Sequence, residues 1–472
     1  MKKDWPHKIL PALRVAQNLL LAVKQNPANR HYRDLENVTL FKDLMNKDII
    51  NRMMDKHNLG AKVIYDKINF FYEQALAFDR YHSELLEHAV ARRELSLSTD
   101  RQFYLSNWGD HDMPKPTPIV NTSTVDNDSG FVFVSNVNFD FTSDYKEINK
   151  EHREKKEQEK FPYYRRYAQY VLSNDEVNVQ APEAERTVEL QMPPKGLLVQ
   201  QTYSVLAHFA LLKEKLKYCP RIRLYADNDS GIKLAIGAIF PDWLADETMY
   251  AFQISADKAG SAQYLGEAST EHLQKVEAEF IKENPDISKA EIKARLWQEQ
   301  LSNRMRVGNA KSEWIINPNK ESRLGMLLPL GDVKTMNQHQ VVKSLTNASL
   351  HGVDNWFQIL RRHVNFLERP VTSATNSKRW NAYAGYNPEW MVKLIEIKRV
   401  YFNYCMTNER TINRNFKGSN KPKPTTPAMR LGLTRKLYTA EDLLSFSLDK
   451  VRIDEVYRNK TERKPSFMSN QF

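Results

Sequence analysis

Apolar residues recur at helical spacing through the first 95 positions of the chain, where they alternate with polar residues. Apolar pairs at 49–50 and 53–54 define one short amphipathic helix, and residues 61–78 define a longer one. The His-Asn-Leu-Gly sequence between them, residues 57–60, is typical of a tight turn. The pattern predicts a helix-turn-helix at about 48–78, within an all-helical region covering residues 1–94.

The second of these helices carries polar side chains that suit contact with DNA. Lys62, Tyr65, Asp66 and Asn69 are predicted to lie on its exposed side. Of these, Lys62, Tyr65 and Asn69 are the candidate DNA-binding residues. The alternative is an ordinary helical hairpin with a solvated polar face.

From residue 94 onward the pattern changes to that of β-strands. Asp-Asn-Asp-Ser-Gly at 126–130 is a strong hairpin turn between two of them. The predicted elements are strands at 95–105, 118–125 and 131–139, a helix at 199–216, a strand at 221–226, a helix at 232–240 and a strand at 249–255. This order predicts an α/β fold with a mixed five-stranded sheet and helices on its faces.

Two stretches interrupt this order and are predicted to be insertions, at about 140–196 and 257–345. The first is highly charged at its centre, and the second is mostly helix-forming. Helices are predicted to resume at 353–367 and 388–404, which completes a domain spanning residues 95–410.

The net charge of the 472-residue chain is +11, and it is concentrated near the C-terminal end. Residues 360–472 hold 22 Lys and Arg against 10 Asp and Glu, a net +12, so the rest of the chain nets about −1. A basic C-terminal quarter predicts contact with phosphates, although a solvated surface has the same composition. Residues 411–472 are predicted to form a basic C-terminal region, in which a Pro/Lys-rich linker at 418–427 precedes a small module at 428–457.

Cysteine content and hydropathy set limits on the protein's class. Cys219 and Cys405 are the only cysteines and lie far apart, which argues against a zinc knuckle or disulfide framework and fits a reducing compartment. The chain has no run of about 18 apolar residues and no clean signal-peptide core. We expect a soluble cytoplasmic protein without membrane contact.

Three acidic residues occupy positions from which their side chains can converge. Asp100 lies within the first predicted strand, Asp227 ends the strand at 221–226, and Asp354 opens the helix at 353–367. Mg²⁺ prefers carboxylate oxygens, and two Mg²⁺ ions about 4 Å apart activate an attacking hydroxyl and stabilise the leaving oxygen of a phosphodiester. Acids on a first strand, at the tip of a later strand and on a following helix are the arrangement of an RNase H-like phosphoryl-transfer core. Asp100, Asp227 and Asp354 are therefore the predicted catalytic metal ligands, with Mg²⁺ as cofactor and Mn²⁺ as a substitute.

Each of the three ligand positions has an alternative acid. Asp126 is the alternative for the first, Asp229 for the second and Glu368 for the third. Asp126 is fully explained by its hairpin turn. Glu368 is the strongest competitor, but it lies about 21 Å from Asp354 along a straight helix, so only one of the two can be a ligand. Asp354 is preferred, and Glu368 is then expected to pair with Arg369 or with a basic side chain of the C-terminal quarter.

Arginines follow the third acid along the chain. Arg361, Arg362 and Arg369 lie on the same predicted helix and at its exit, where guanidinium groups beside a metal site suit phosphate binding. The alternative is that these side chains face solvent.

Several runs resemble bacterial insertion-sequence transposases of the DDE (RNase H-like) superfamily. They are HGVDNWFQILRRHVNFLERP, YNPEWMVKLIEIKRVYFNYC and TPAMRLGLTRKLYTAEDLL, with TSTVDNDSGFVFVSNVNFD and YADNDSG upstream. The YFNY segment followed by TPAMRLGL is the most characteristic part, and the resemblance covers most of residues 45–446. It implies a two-metal nuclease and strand transferase acting on transposon ends and target DNA, as a homo-oligomer on DNA at the bacterial nucleoid.

Carried over by position, Asp100, Asp227 and Asp354 match the three metal-binding acids of that superfamily. An Asp in the third place departs from its commonest pattern, which keeps Glu368 open as the alternative third acid. Such proteins often carry an N-terminal Cys-rich zinc module, and this chain has none. Two other functions stay open: a catalytically silent, transposon-derived DNA-binding regulator, and an RNase H-fold nuclease without strand transfer.

Overall fold

A computed structural model describes residues 34–106, 117–161, 164–172, 195–256, 274–302, 305–306, 313–316, 325–331, 334–368, 371–372, 381–382 and 385–447. In these segments the chain forms a mixed β-sheet with helices on both faces, which is an α/β architecture.

Four described helices precede the sheet. They are α1 (Asp34–Met45), α2 (Ile50–His57), α3 (Ala61–Ser83) and α4 (Leu86–Val90). The turn between α2 and α3 is tight because Asn58 adopts a left-handed conformation and its N–H donates to the Met54 carbonyl. The structure thus contains the predicted pair of helices and their turn, and α3 continues past the predicted end at residue 78.

The strands alternate with further helices along the chain. They are β1 (Glu94–Ser106), β2 (Thr117–Asp126), β3 (Val132–Val137), β4 (Phe139–Asp140), β5 (Leu197–Leu198), β6 (Arg221–Asp227), β7 (Met249–Ala256), β8 (Met305–Arg306), β9 (Glu313–Ile316), β10 (Gly325–Pro329), β11 (Val371–Thr372) and β12 (Asn381–Ala382). Six of them form a continuous sheet in the order β3-β2-β1-β6-β7-β10, which the short β9 and β8 extend. Strand β1 pairs in parallel with β6, and β6 in parallel with β7, whereas the other pairs of this sheet are antiparallel.

The expectation of a five-stranded sheet is corrected by β10. This strand comes from the stretch predicted to be a mostly helical insertion, and it pairs with β7 with Leu327 opposite Ile254. Without β10, the backbone N–H and C=O groups along this edge of β7 would lack partners. The strand is short and surrounded by polar sequence, so its pattern did not stand out from the helical insertion.

The remaining helices follow the predicted order closely around the sheet. They are α5 (Tyr145–Glu154), α6 (Gln201–Lys215), α7 (Ser230–Ile239), α8 (Pro241–Ala245), α9 (Lys289–Ser302), α10 (Gln338–Thr346), α11 (His351–His363), α12 (Pro388–Cys405), α13 (Glu409–Asn415), α14 (Pro427–Leu431) and α15 (Ala440–Leu444). Strands β1–β3 are followed by α6, β6, α7 and β7, as the sequence predicts. Helix α11 ends at His363, before the predicted end at residue 367, and a 3₁₀ turn over Asn365–Leu367 follows.

The two faces of the sheet bury different kinds of side chain. On the face covered by α6, Thr99 and Thr124 share a hydrogen bond of 2.6 Å, and Thr124 also bonds to His208 of α6 at 2.6 Å. Burial lowers the pKa of His208 to about 3, so its ring is neutral at physiological pH. On the opposite face, α11 buries Trp356 and Leu360 against β1–β3.

A second group of buried side chains covers β6 and β7 on the α11 side of the sheet. Tyr225 and Phe252 pack there with Trp297 of α9 and Val341 of α10. The Tyr225 hydroxyl donates to the Ser344 carbonyl at 2.5 Å, which ties α10 to the central strand. The helical insertion is therefore packed onto the sheet beside α11.

Helices from both ends of the described chain share one hydrophobic cluster with the sheet and α12. Phe41 of α1 contacts the ring of Tyr401 in α12, with ring centroids 5.1 Å apart. His82 of α3 bonds to the Tyr438 hydroxyl at 2.8 Å, which fixes the segment between α14 and α15. The division into regions 1–94, 95–410 and 411–472 stays a prediction, and its described parts pack against one another.

The length and apolar character of the described helices bear on whether any of them could span a membrane. Among the described residues, none of the helices combines the length and the apolar character that crossing a bilayer requires.

A buried ion cluster joins α3 to α12. The Arg399 guanidinium donates to Asp79 at 2.6 Å and to Glu396 at 2.9 Å, and both Asp79 and Arg399 are buried. Burial alone would raise the pKa of Asp79, but the charges of Arg399 and Lys215 outweigh it and lower that pKa. The cluster therefore depends on both signs of charge being present.

We predict that Asp79→Ala lowers the free energy of unfolding by about 3 kcal/mol, because Arg399 stays buried with only Glu396 to compensate its charge. Chemical denaturation measures this directly. The control is Asp242→Ala, which removes the exposed ion pair with Lys213 and should cost less than about 1 kcal/mol. Equal losses in the two variants would contradict a special role for the buried cluster.

Candidate active site

Asp100 and Asp227 lie side by side on neighbouring parallel strands. Thr99 of β1 is paired with Ala226 of β6, so the next residue on each strand occupies the same register position. Adjacent strands are about 4.8 Å apart, and residues in register point to the same face of the sheet. The two carboxylates therefore share the α11 face at the carboxyl end of β6, where ligands gather in α/β sheets.

Asp354 reaches this site from the first turn of α11. The Ser98 hydroxyl accepts a hydrogen bond of 3.0 Å from the Val353 N–H. Ser98 precedes Asp100 by two residues and so points to the same face of β1. This contact places the start of α11 directly over the part of β1 that carries Asp100.

Burial and neighbouring carboxylates raise the pKa values of Asp100 and Asp354. Burial, and then the negative charges of Asp227 and Asp354, raise the pKa of Asp100 from 3.8 to about 7, although a hydrogen bond of 2.6 Å from the Arg101 N–H opposes this. Burial and the charge of Asp227 also raise the pKa of Asp354. The negative charges of the three acids repel one another, and a bound cation would reduce this repulsion.

The arrangement of the three acids differs from that of a formed metal site. Among the residues described, no three Asp, Glu, His or Cys side chains stand close enough together to hold one ion as they are placed. The three acids are thus near neighbours rather than an assembled ligand set. Their oxygen-only chemistry and shared negative potential fit a hard divalent cation, and side-chain rotation would be needed to bring them onto it.

The competing acids have structural partners of their own. Asp229 accepts hydrogen bonds from the Gly231 and Ile232 N–H groups at the start of α7, and it pairs with Arg101. Asp126 accepts from the Ser129 N–H at 2.9 Å inside the predicted turn. Both side chains are accounted for by local structure.

Glu368 lies away from the three acids along the chain, beyond the end of α11. It forms an ion pair of 2.8 Å with Lys47, at the end of the N-terminal helix α1. The expectation that it pairs with Arg369 or a basic side chain of the C-terminal quarter is corrected here. The sequence could not reveal this partner because more than 300 residues separate Lys47 from Glu368.

The structure separates the predicted arginines. Arg361 lies seven residues after Asp354, on the same side of α11, and its positive charge lowers the pKa of Asp354 against the larger effect of burial. Arg362 is exposed and adds its charge near His363, whose pKa is lowered to about 4 mainly by burial. Arg361 therefore belongs to the carboxylate site, Arg362 lies farther along the helix, and Arg369 falls outside the described residues.

The predicted DNA-contacting side of α3 is partly covered by α12. Tyr65 packs on the Trp390 ring with centroids 4.6 Å apart, and Asn69 accepts a hydrogen bond of 2.6 Å from Lys393. The expectation that Tyr65 and Asn69 are exposed is corrected, because both are half-buried. Lys62 is exposed as predicted, and a DNA-binding role for this helix stays a prediction.

Two residues that sequence reasoning missed shape the site. The Ser98 hydroxyl accepts a hydrogen bond from the first turn of α11. The buried Gln253 of β7 donates to the Asp229 carbonyl at 2.9 Å, which fixes the loop after Asp227. A polar residue two positions before Asp100 on an otherwise buried strand was the available signal for Ser98. Nothing in the sequence around Gln253 distinguishes it from other polar strand residues.

Comparison with known proteins adds no family assignment. No protein-family model matches the chain, and no curated protein matches it significantly.

We predict that Asp100→Asn stabilises the protein at high pH. Because its pKa is raised, Asp100 stays protonated in the folded state while the unfolded chain loses the proton, so stability falls as pH rises from about 4 to about 7. The amide avoids this loss, so Asp100→Asn should be about 2–4 kcal/mol more stable than wild type at pH 8. The difference should shrink below pH 4.

Chemical denaturation between pH 4 and pH 8 provides the measurement. Asp286→Asn, at an exposed position in the insertion, is the matched control and should follow the wild-type profile. A pH-independent difference between Asp100→Asn and wild type would show that the carboxyl of Asp100 is not electrostatically strained.

Proposed function

We propose that this protein is a DNA transposase with an RNase H-like core, catalysing metal-dependent strand cleavage and strand transfer at the ends of an insertion sequence. The observation that carries the proposal is the convergence of Asp100, Asp227 and Asp354 at one edge of a mixed sheet. The order of three strands, helix, strand, helix and strand supports it. So does the resemblance of the sequence to transposases of the DDE superfamily.

The electrostatics of the acids suit a cation-dependent reaction. Asp100 and Asp227 would hold the cation from adjacent strands, and Asp354 would complete the set from α11. When bound, Mg²⁺ supplies activation of the attacking hydroxyl and neutralises charge on the phosphate. Asp100, with a pKa of about 7, must release its proton before it binds, so cation affinity should rise with pH through this range.

Arg361 gives the site a positive group on the substrate side. Its guanidinium follows Asp354 along α11 and is close enough to influence the pKa of Asp354 and of buried Tyr104. A guanidinium at this place suits bidentate contact with a phosphate of the DNA strand. The exposed basic residues Arg362, Arg410 and Arg414 would extend this contact along the backbone.

The test is Mg²⁺-dependent cleavage and joining on a plasmid carrying the DNA that flanks the coding sequence. We predict that Asp227→Asn loses both activities to background, in Mg²⁺ and in Mn²⁺, while DNA affinity stays within a few-fold. The amide preserves the shape of the side chain but loses the charge needed to hold the cation. Asp286→Asn, the same substitution at an exposed position, should cleave like wild type.

The outcomes distinguish the proposed function from its two alternatives. Cleavage without joining would indicate a nuclease of the same fold. DNA binding without cleavage by the wild-type protein would indicate a catalytically silent regulator. Full activity of Asp227→Asn would contradict the assignment of the site.

A second prediction concerns the third acid. Asp354→Asn should abolish cleavage, whereas Glu368→Gln should retain it and lose only the partly exposed ion pair with Lys47, worth about 1 kcal/mol or less. Cleavage assays and thermal melting of both variants provide the measurement. A well-folded but inactive Glu368→Gln together with an active Asp354→Asn would transfer the third role to Glu368.

A further inference from the structure

The first turn of α11 is capped only in part from its own segment, where the Ser349 hydroxyl accepts a hydrogen bond of 3.1 Å from the His351 N–H. Its N-cap residue, Leu350, cannot accept a hydrogen bond through its side chain. The first N–H groups of a helix have no intrahelical partners and need acceptors from elsewhere. Because Asp354 lies in this turn, whatever supplies the acceptors also determines where its carboxylate stands.

Asn127, in the turn between β2 and β3, supplies the acceptor for the second of these N–H groups and also binds the chain on either side. Its side-chain oxygen accepts from the Gly352 N–H at 3.1 Å and from the Ser98 hydroxyl at 2.7 Å. Its side-chain nitrogen donates to the Ser349 carbonyl at 3.0 Å. The Asn127 amide thus connects three places: residue 349 before α11, residue 352 in its first turn, and the strand that carries Asp100.

The backbone of Asn127 is itself held in place. Its N–H donates to the Ser96 carbonyl at 2.7 Å, and its carbonyl accepts from the His351 ring at 3.0 Å. The side chain therefore projects from a fixed point on the sheet rather than from a free loop. A fixed point is what a residue needs in order to orient a neighbouring element.

The close approach of α11 to Asn127 requires a glycine. A Cβ atom at Gly352 would lie 2.5 Å from the Asn127 side-chain oxygen and 3.0 Å from the Ser98 hydroxyl oxygen. Any side chain at this position would displace the Asn127 side chain or push the start of α11 away from the sheet. Gly352 and Asn127 are thus complementary in shape as well as in hydrogen bonding.

We propose that Asn127 is a positioning residue for the reaction: through Gly352 and Ser98 it holds the first turn of α11 so that Asp354 faces Asp100 and Asp227. The inference rests on the proposed function for its catalytic consequence, but the placement of Asp354 can be tested without any activity. An amide is required because the position needs an acceptor for Gly352 and a donor for Ser349 at once.

The catalytic test compares Asn127→Ala with wild type in cleavage, DNA affinity and Mg²⁺ dependence. Loss of a residue that orients a metal ligand typically costs about 10–100-fold in metal affinity or activity. We expect the half-saturating Mg²⁺ concentration to rise and the cleavage rate to fall by that order, with DNA affinity unchanged. Asp128→Asn, at the exposed neighbouring turn position, should retain the wild-type values.

A stability cycle tests the placement independently of cleavage. At pH 8, Asp354→Asn should raise the melting temperature by relieving repulsion with Asp100 and Asp227. In the Asn127→Ala background this rise should be smaller, because Asp354 is no longer held beside the other acids. A mainly structural role for Asn127 would lower both melting temperatures and leave the rise unchanged.

A conservative variant covers the case in which Asn127→Ala does not fold. Asn127→Ser keeps a short, neutral polar side chain but loses the separate donor and acceptor of the amide, so its effects on Mg²⁺ dependence should be in the same direction and smaller. An additive stability cycle together with wild-type Mg²⁺ dependence would overturn the inference. A wild-type protein that never cleaves DNA but shows the coupled cycle would instead refute the proposed function and leave the positioning role supported.

Discussion

The parallel pairing of β1 with β6 is the constraint on which the rest of this site depends. It places two carboxylates in register on adjacent strands, one of them partly buried. Burial of a carboxylate beside a like charge opposes folding, and the raised pKa of Asp100 reflects both its burial and the charge of Asp227. The fold must therefore be stable enough elsewhere to tolerate this repulsion, as is usual for sites whose groups serve chemistry rather than stability.

Stability is supplied by elements on both sides of the sheet. On the α6 face, neutral His208 joins β2 to α6 through a hydrogen bond to Thr124 in the interior. On the other face, Trp356 holds α11 against β3 and against Phe402 of α12. Helix α12 is in turn tied to α3 by the buried ion cluster around Arg399. The acid on α11 is thus carried by an element that is packed from several directions, which limits how far it can retreat from the other two acids.

The sequence predicted the parts of this arrangement that depend on local pattern. The order of strands and helices around Asp100 and Asp227 is as expected, because alternating and helical periodicity report which face of each element is buried. The partners of exposed-looking side chains were predicted poorly. Tyr65 and Asn69 fell on the polar side of an isolated helix, but α12, more than 300 residues away, covers that side with Trp390 and Lys393. The ion-pair partner of Glu368 was predicted wrongly for the same reason, since that partner, Lys47, is equally remote in sequence. Long-range contacts leave no periodic signal in a single sequence.

Charge links the site's structure to its proposed chemistry. At neutral pH a divalent cation at the proposed site would compete with the proton on Asp100, because either would relieve the repulsion among the acids. Cation binding should then release a proton and tighten the site, drawing together side chains that stand apart as described. The positive charge of Arg361 offsets only part of the repulsion at Asp354. Burial and the charge of Asp227 still raise the pKa of Asp354 despite the nearby guanidinium. A phosphate entering between Arg361 and the acids would add negative charge to a site that already repels it. A bound cation would therefore be needed to hold a phosphate at the acids, whereas overall DNA affinity would rest on basic residues outside the site.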